Sequence, residues 1–253
     1  MITSMEQYLI TKFTSKGSNK AANEDAVETV FVDGGLLCIL CDGVGADSEP
    51  EVASRITVTA VKNLFDASKQ HDYLERIKET FIDTNDFLIK YSNQKKDKLP
   101  MTTTLDLLYI KDNIAYWGHI GDSRIYYFRA NSLRQLTKDH TLIQKLIDEG
   151  YLTLKQAANH PSGHILIRAL GKENVEADFS KMRLSNSDYH KFLLCSDGVT
   201  GLITDAELQE ILKYDSENIQ SKIISLVRSR GAIDDYSFIL LEKVNNNDWK
   251  ENT

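Results

Sequence analysis

The chain of 253 residues carries 37 acidic and 30 basic side chains, which gives a formal net charge of −7. This balance disfavours a protein that coats nucleic acid, because such a protein needs a basic face. It equally disfavours docking on anionic lipid by charge alone. Hydrophobic residues make up 42% of the chain, enough for a packed core without disulfide bonds. The N-terminus lacks the apolar stretch of a signal peptide and no apolar run is long enough for a membrane span, so we expect a soluble, cytoplasmic protein.

The first half of the chain predicts three strands followed by two helices. Apolar runs rich in β-branched residues indicate strands, and apolar residues at helical spacing indicate helices. In chain order these are strands 8–14, 27–32 and 36–41 and helices 48–65 and 71–91. Asp33-Gly34-Gly35, between the second and third strands, predicts a hairpin turn. A polar, lysine-rich loop, 94–100, follows the second helix.

The second half predicts a block of short strands, then helices and two further strands. In chain order these are strands 102–110, 114–119 and 124–129, helices 140–150 and 153–158, strand 191–195, helices 204–211 and 216–227, and strand 236–244. Thr204 followed by Glu207 matches a capping box. Successive strands with short turns predict antiparallel pairing. The order lacks the regular alternation of a doubly wound parallel sheet, so it predicts an α+β fold or a layered sandwich.

The three cysteines, Cys38, Cys41 and Cys195, all lie in apolar runs. The C-x-x-C spacing of the first two allows a zinc or redox site. However, a strand points residues i and i+3 to opposite faces, and no second C-x-x-C pair exists. We therefore expect buried core thiols. No cysteine has an arginine six residues later, no histidine pair has zinc-ligand spacing, and His119 is expected to be a structural residue.

A similar short motif follows two of the predicted strands. The run that ends at Cys41 is followed by Asp42-Gly43, and the run that ends at Cys195 is followed by Ser196-Asp197-Gly198. An Asp there is held at the rim of a sheet, and the following Gly lets the backbone approach a ligand closely. Each Asp-Gly alone is a common turn.

Further acids lie at other predicted strand ends: Glu24, Asp25, Asp122, Asp234 and Asp235. Mg²⁺ and Mn²⁺ prefer carboxylate, carbonyl and water oxygens. Acids gathered at five strand ends are therefore suited to a site for two divalent ions.

Eight short motifs follow one another along the chain: Gly17-x-x-Lys20-x-x-Asn23-Glu24-Asp25, Cys41-Asp42-Gly43-Val44-Gly45, Met101-Thr102-Thr103-Thr104-Leu105, Gly121-Asp122-Ser123-Arg124, Leu136-Thr137-x-Asp139-His140, His160-Pro161 with Ile167-Arg168-Ala169-Leu170-Gly171, Cys195-Ser196-Asp197-Gly198, and Asp234-Asp235-Tyr236-Ser237. Each motif is weak alone. In this order, from about Gly17 to Leu241, they resemble the metal-dependent type 2C protein serine/threonine phosphatases, especially the compact bacterial form. Residues 140–164 then correspond to that form's flap.

The resemblance implies a four-layer α-β-β-α sandwich, with two antiparallel β-sheets flanked by helices. It implies one phosphatase domain over 1–253, with a core of about 8–244 and a polar tail, 245–253. Such an enzyme would hydrolyse phosphoserine and phosphothreonine by direct attack of a metal-bridging hydroxide and would reverse Ser/Thr kinase signalling. Its partners would be phosphorylated proteins and a Ser/Thr protein kinase with its substrates, with no nucleic acid or membrane partner. We expect a monomer.

The implied cofactors are two Mn²⁺ or Mg²⁺ ions and a weaker third. Asp42 would bridge the first two metals, Asp122 and Asp197 would hold the third, and Lys20 would bind the substrate phosphate. The metal ligands that the resemblance implies are Glu24, Asp25, Asp42, Gly43, Asp122, Asp197 and Asp234.

The chain departs from the family pattern at several positions. Lys20 stands where the family usually has Arg, which grips phosphate with two parallel hydrogen bonds. Val44 stands where animal members carry a His proposed as general acid. Ala46 and Thr102 replace usual glycines, and Asp235 replaces the usual Asn.

Two other functions remain open. One is a degenerate phosphatase that binds a phosphoprotein without turnover, supported by Lys20 and Ala46. The other is a different two-metal hydrolase such as a nuclease, which the acidic balance disfavours.

Overall fold

The computed structural model of the chain describes residues 8–45, 49–95, 100–157, 160, 165–185 and 188–244. The strands in these ranges are β1 (Tyr8–Ser15), β2 (Asp25–Val32), β3 (Gly35–Val44), β4 (Thr102–Thr103), β5 (Leu105–Lys111), β6 (Ile114–Ile120), β7 (Arg124–Arg129), β8 (Ser132–Gln135), β9 (Asp178–Arg183), β10 (Lys191–Cys195) and β11 (Tyr236–Lys243). The helices are α1 (Pro50–Ala67), α2 (Tyr73–Gln94), α3 (Leu142–Asp148), α4 (Leu154–Ala157), α5 (Asp197–Thr200), α6 (Asp205–Ile211) and α7 (Ser216–Ser229).

Two antiparallel sheets form the framework. The first sheet has the order β1-β11-β10-β7-β8, and the second has the order β2-β3-β5-β6-β9, with β4 paired to β3. All of these pairings are antiparallel. None of the described helices is long and apolar enough to cross a membrane.

Alternation along β3 shows how the layers arise. Leu37, Ile39 and Cys41 pack with residues of α1 and α2, whereas Leu36 and Cys38 pack between the two sheets with residues of β7, β10 and β11. Side chains point alternately to the two faces of a strand, so one apolar run supplies both layers.

The outer face of the first sheet packs on α6 and α7. The layers therefore run helix, sheet, sheet, helix, and the predicted α+β sandwich is confirmed.

Several local predictions are also confirmed. Asp33 and Gly34 adopt φ of 49° and 72°, as a two-residue turn joining β2 to β3 requires. Thr204 and Glu207 form a capping box at the start of α6. All three cysteines are free and buried, and Cys38 and Cys41 face opposite sides of β3.

Two predictions about strands are wrong. Residues 102–110 are not one strand, because the chain breaks at Thr104 into β4 and β5. The strands β6 and β7 are consecutive but do not pair, since they belong to different sheets. The turn between them, where Gly121 has φ of 120°, carries the chain from one sheet to the other.

Three short elements were not predicted. β8 and β9 are edge strands whose mostly exposed, polar residues lack an apolar pattern. α5 is a single turn that starts at Asp197. Several predicted features lie partly or wholly outside the described residues: residues 1–7, Ala46, positions 96–99 of the lysine-rich loop, positions 158–159 and 161–164 of the flap, and the tail at 245–253.

Candidate active site

An acidic cavity of about 340 Å³ lies where strand ends of the two sheets meet. Seven of the eight residues predicted for the site line it; Asp25 does not. The residues lining the cavity are Lys20, Glu24, Asp42, Gly43, Val44, Gly45, Asp122, Leu166, Asp197 and Asp234.

Asp42 is fixed near the end of β3 by two threonines. Its backbone N–H donates to Thr104 Oγ1 at 2.9 Å. Its carbonyl oxygen accepts from the Thr104 N–H at 2.8 Å and from Thr103 Oγ1 at 2.8 Å. Asp42 and Thr104 stay opposite each other in the register of β3 with β4 and β5. The Asp42 N–H bonds to the Thr104 side chain rather than to a backbone carbonyl oxygen, which accompanies the break between β4 and β5.

Asp25 lies opposite Asp42 in the β2–β3 register and is buried beside the cavity. Its Oδ2 accepts from Ser196 Oγ at 2.7 Å, and its Oδ1 is buried with no hydrogen-bond partner among the described residues. Burial, together with the nearby Asp197, raises the pKa of Asp25 to about 7, although the Ser196 bond opposes the rise.

Gly43 and Gly198, the glycines of the two Asp-Gly pairs, are required because neighbouring backbone leaves no room for a side chain. A Cβ on Gly43 would lie 2.0 Å from the carbonyl oxygen of Pro50, and one on Gly198 would lie 1.8 Å from that of Asp235. The expectation that both glycines admit a ligand is therefore incomplete: Gly43 lines the cavity, but Gly198 is not among its lining residues.

Asp235 braces the loop that carries Lys20 and Glu24. Its Oδ1 accepts from the Gly17 N–H and its Oδ2 from the Glu24 N–H, both at 2.7 Å. It is 3% exposed and does not line the cavity. The extra acid beside Asp234 thus holds backbone in place.

Asp122 lies in the crossover turn between β6 and β7. Arg124, two residues later, forms a bidentate pair with Asp139, with Nε–Oδ1 and Nη2–Oδ2 distances of 2.9 and 2.7 Å. The Ile125 N–H donates to Thr137 Oγ1 at 3.1 Å. The two sequence motifs Gly121–Arg124 and Leu136–His140 therefore face each other and hold the turn.

Lys20 is the positively charged residue in the lining of the cavity. Its Nζ lies 2.5 Å from Glu24 Oε2 and 2.9 Å from Asp234 Oδ1. Burial alone would lower the pKa of Lys20, but these two hydrogen bonds raise it above its ordinary value. The ammonium group therefore stays charged.

The carboxylates repel one another. Burial raises the pKa of Asp42 well above its ordinary value, and the charges of four neighbouring carboxylates add to the rise: Asp25, Asp197, Asp122 and Asp234. Crowding of this kind is relieved by a bound cation.

A nucleophilic cysteine is excluded, because none of the three thiols is accessible to a substrate. Cys38, Cys41 and Cys195 are fully buried, and burial raises the pKa of each thiol above its ordinary value. His119 is also buried, with Nδ1 2.7 Å from Asp106 Oδ1, and it does not line the acidic cavity.

Comparison with known proteins shows the family of the chain. Residues 14–228 match the model of the protein phosphatase 2C family. The chain belongs to this family. It is 33% identical over 244 residues to protein phosphatase PhpP of Streptococcus pneumoniae, covering 92% of this chain and 96% of PhpP.

Solved structures of the protein phosphatase 2C family share the fold. The Mycobacterium tuberculosis serine/threonine phosphatase PstP superposes with a TM-score of 0.86 at 28% identity, covering 94% of this chain and all of that one. The catalytic domain of PstP in complex with two manganese ions has a TM-score of 0.82 at 28% identity, covering 94% of this chain and 99% of that one.

The lining residues fit the divalent ions on which this family depends. Among the described residues, no three Asp, Glu, His or Cys side chains converge to hold a metal by themselves. Mg²⁺-type sites do not need such a cage, because the ion keeps several waters and takes only one or two carboxylates. Carboxylates spread around one cavity, the raised pKa of Asp42 and the unpartnered Asp25 Oδ1 are what such a site presents.

Two contributions to the site went unpredicted. Leu166 lines the cavity because an isolated bridge to Thr141 holds it there, and nothing in the sequence marks this long-range contact. Asp235 binds the backbone N–H groups of Gly17 and Glu24. Its position beside Asp234 was the only feature of the sequence that pointed to a role at the site.

Proposed function

We propose that this chain is a metal-dependent protein phosphatase that hydrolyses phosphoserine and phosphothreonine in proteins. The observation that carries this proposal is the acidic cavity, which, among the described residues, five carboxylates and one lysine line together. The family membership and the likeness to PstP with two manganese ions support it.

We further propose two ions, Mn²⁺ or Mg²⁺, in the main site. Asp42, the Gly43 carbonyl, Asp197, Asp234 and Glu24 would hold these ions. Asp25, which does not line the cavity, would support the ions without direct coordination. Asp122 would hold a weaker third ion together with Asp197. When bound, the ions lower the pKa of water and offset charge on phosphoryl oxygens.

The side chains then divide the remaining tasks. The charged Lys20 orients the phosphate at the cavity. Val44 and Leu166 present apolar surface beside it and limit the entry of bulk water. Because all three thiols are buried, no covalent phosphocysteine forms.

For the whole chain, we propose that residues 8–244 act as one phosphatase unit and as a monomer. The proposed substrates are phosphoproteins, and the proposed opposing partner is a Ser/Thr protein kinase. PhpP of Streptococcus pneumoniae, named as a protein phosphatase, covers nearly the same length.

The test is phosphate release from p-nitrophenyl phosphate and a phosphothreonine peptide, measured with Mn²⁺ and again after a chelator. We expect release with Mn²⁺ and its loss with chelator. Asp197→Ala should abolish release, and Asp86→Asn, a change at an exposed acid of α2, should retain it. Peptide binding without any release would instead favour the phosphoprotein-binding alternative.

A further inference from the structure

His140 joins two segments that line the active cavity. Its backbone N–H donates to the Gly121 carbonyl oxygen at 2.7 Å, and its carbonyl oxygen accepts from the Ile167 N–H at 2.9 Å. Its ring Nδ1 lies 3.2 Å from the Gly121 N–H. One residue beyond each contact, Asp122 and Leu166 line the cavity.

These contacts determine the tautomer of the ring. The Gly121 N–H is a donor, so Nδ1 must be the unprotonated acceptor. Nε2 therefore carries the proton and donates to Asp178 Oδ2 at 3.2 Å. A proton on both nitrogens would break the Gly121 bond.

The surroundings of the ring favour this neutral form. His140 is 5% exposed. His119 on β6, itself paired with Asp106, has its ring 4.7 Å away. Arg168 lies 3.4 Å from Nε2 and 3.5 Å from the second oxygen of Asp178. Burial first, then His119 and Arg168, lower the pKa of His140 to about 4.

Gly121 has little freedom to compensate if the ring is lost. Its φ is 120°, and a Cβ there would lie 2.5 Å from the Thr104 side chain. Thr104 also holds the backbone of Asp42. The orientation of the Gly121 amide therefore affects where Asp122 points, and the His140 ring is the group that binds this amide.

We propose that His140 is a positioning residue for the reaction, which fixes Asp122 through an Nδ1 bond to the Gly121 amide and ties it to the segment that carries Leu166. This inference rests on the proposed phosphatase function. His140 itself does not line the acidic cavity, so it acts through the backbone.

Two variants separate the contacts of the ring. In His140→Asn the amide oxygen stands where Nδ1 stood and keeps an acceptor for Gly121. In His140→Gln the amide nitrogen reaches the Nε2 position and keeps the bond to Asp178 but loses that acceptor. Both side chains are neutral and uncharged at all working pH values.

The experiment measures Mn²⁺ binding by calorimetry and kcat and KM for a phosphothreonine peptide across Mn²⁺ concentrations. We expect His140→Gln to weaken the weakest Mn²⁺ binding step about tenfold, the usual effect of removing a group that orients a metal ligand. His140→Asn should stay within about twofold of the unchanged protein. Equal losses in both variants would overturn the proposal.

A measurement without metal or substrate guards against misfolded variants. In the unchanged protein, ¹⁵N NMR of the imidazole should show an unprotonated Nδ1 and a protonated Nε2 at pH 7. A protonated Nδ1 would overturn the inference. If the unchanged protein shows this tautomer but no Mn²⁺-dependent phosphate release, the proposed function fails and the inferred geometry stands.

Discussion

The two ends of strand β10 place charged side chains in contrasting surroundings. At its start, Lys191 is 1% exposed, donates to the carbonyl oxygens of Leu212, at 3.0 Å, and Tyr214, and lies 3.6 Å from Glu242. Just past its other end, Asp197 faces a cavity shared with four further carboxylates and Lys20.

Partial burial of charge is costly unless partners compensate it. The chain itself compensates Lys191, so that end of the strand serves stability. At the cavity, one ammonium group among the described residues faces five carboxylates. Much of the compensation there must come from bound cations, which is how a functional site differs from a structural one.

The largest expected effect is at the cavity. Asp42→Asn removes a carboxylate whose pKa is raised by burial and by the charges of neighbouring carboxylates. We expect kcat/KM to fall at least about 1000-fold, equivalent to about 4 kcal/mol of transition-state stabilisation. The Tm in chelator should stay equal or rise, because repulsion is relieved. A Tm that falls by several degrees would show that Asp42 serves the fold instead.

The matched change at the other end is Lys191→Met. It leaves the carbonyl oxygens of Leu212 and Tyr214 without their donor, which should lower the free energy of unfolding by roughly 1–3 kcal/mol. Urea unfolding measures this effect. The kcat per folded molecule should not change, and a loss of kcat at full stability would break the comparison.

His190, beside Lys191, gives this end of the molecule a pH dependence. Its ring is fully buried, with Nε2 2.7 Å from Tyr8 Oη and Nδ1 2.8 Å from the Asp188 carbonyl oxygen. Burial lowers the pKa of His190 to about 4. In the unfolded chain the imidazole titrates near 6.5, so acid protonates the unfolded state first.

The contribution of His190 is therefore complete above the unfolded pKa and is lost as pH falls from about 6.5 to 4. Between pH 7.5 and 5 we expect it to cost about 2 kcal/mol of unfolding free energy. Urea unfolding of the unchanged protein and of His190→Asn at both pH values isolates this term, because Asn keeps a donor at Nδ1 and does not titrate. An equal pH effect in both proteins would contradict the assignment.

The sequence predicts the layers well because apolar alternation along strands such as β3 is a local pattern. It also predicts which acids gather, since Asp42 and Asp197 each follow an apolar strand. It does not predict the separation of β6 and β7 into different sheets, because short turns equally join paired strands. Likewise, the role of Asp235 depends on amides more than 200 positions away, which no local pattern encodes.

Asp235 tests the contrast between the two ends of β10. It lies near the cavity, but backbone amides of the chain compensate its charge. An Asn side chain has one acceptor oxygen, so Asp235→Asn would leave either the Gly17 or the Glu24 N–H unpaired. We expect the free energy of unfolding to fall by about 1–2 kcal/mol. Asp234→Asn, which alters a lining carboxylate, should instead reduce activity with little loss of stability. An unchanged free energy of unfolding in Asp235→Asn would contradict the proposed role of Asp235 in holding this loop.

The smallest expected effect is at Lys20, the cation of the cavity lining. Its ammonium is a point charge shared between Glu24 and Asp234, whereas a guanidinium presents a fork that can hold a carboxylate and a phosphate together. We expect Lys20→Arg to lower KM for a phosphothreonine peptide about threefold, or about 0.7 kcal/mol, with kcat nearly unchanged. Lys20→Met is the control and should raise KM. An unchanged or higher KM in Lys20→Arg would mean that this cation balances the carboxylates and does not contact the phosphate.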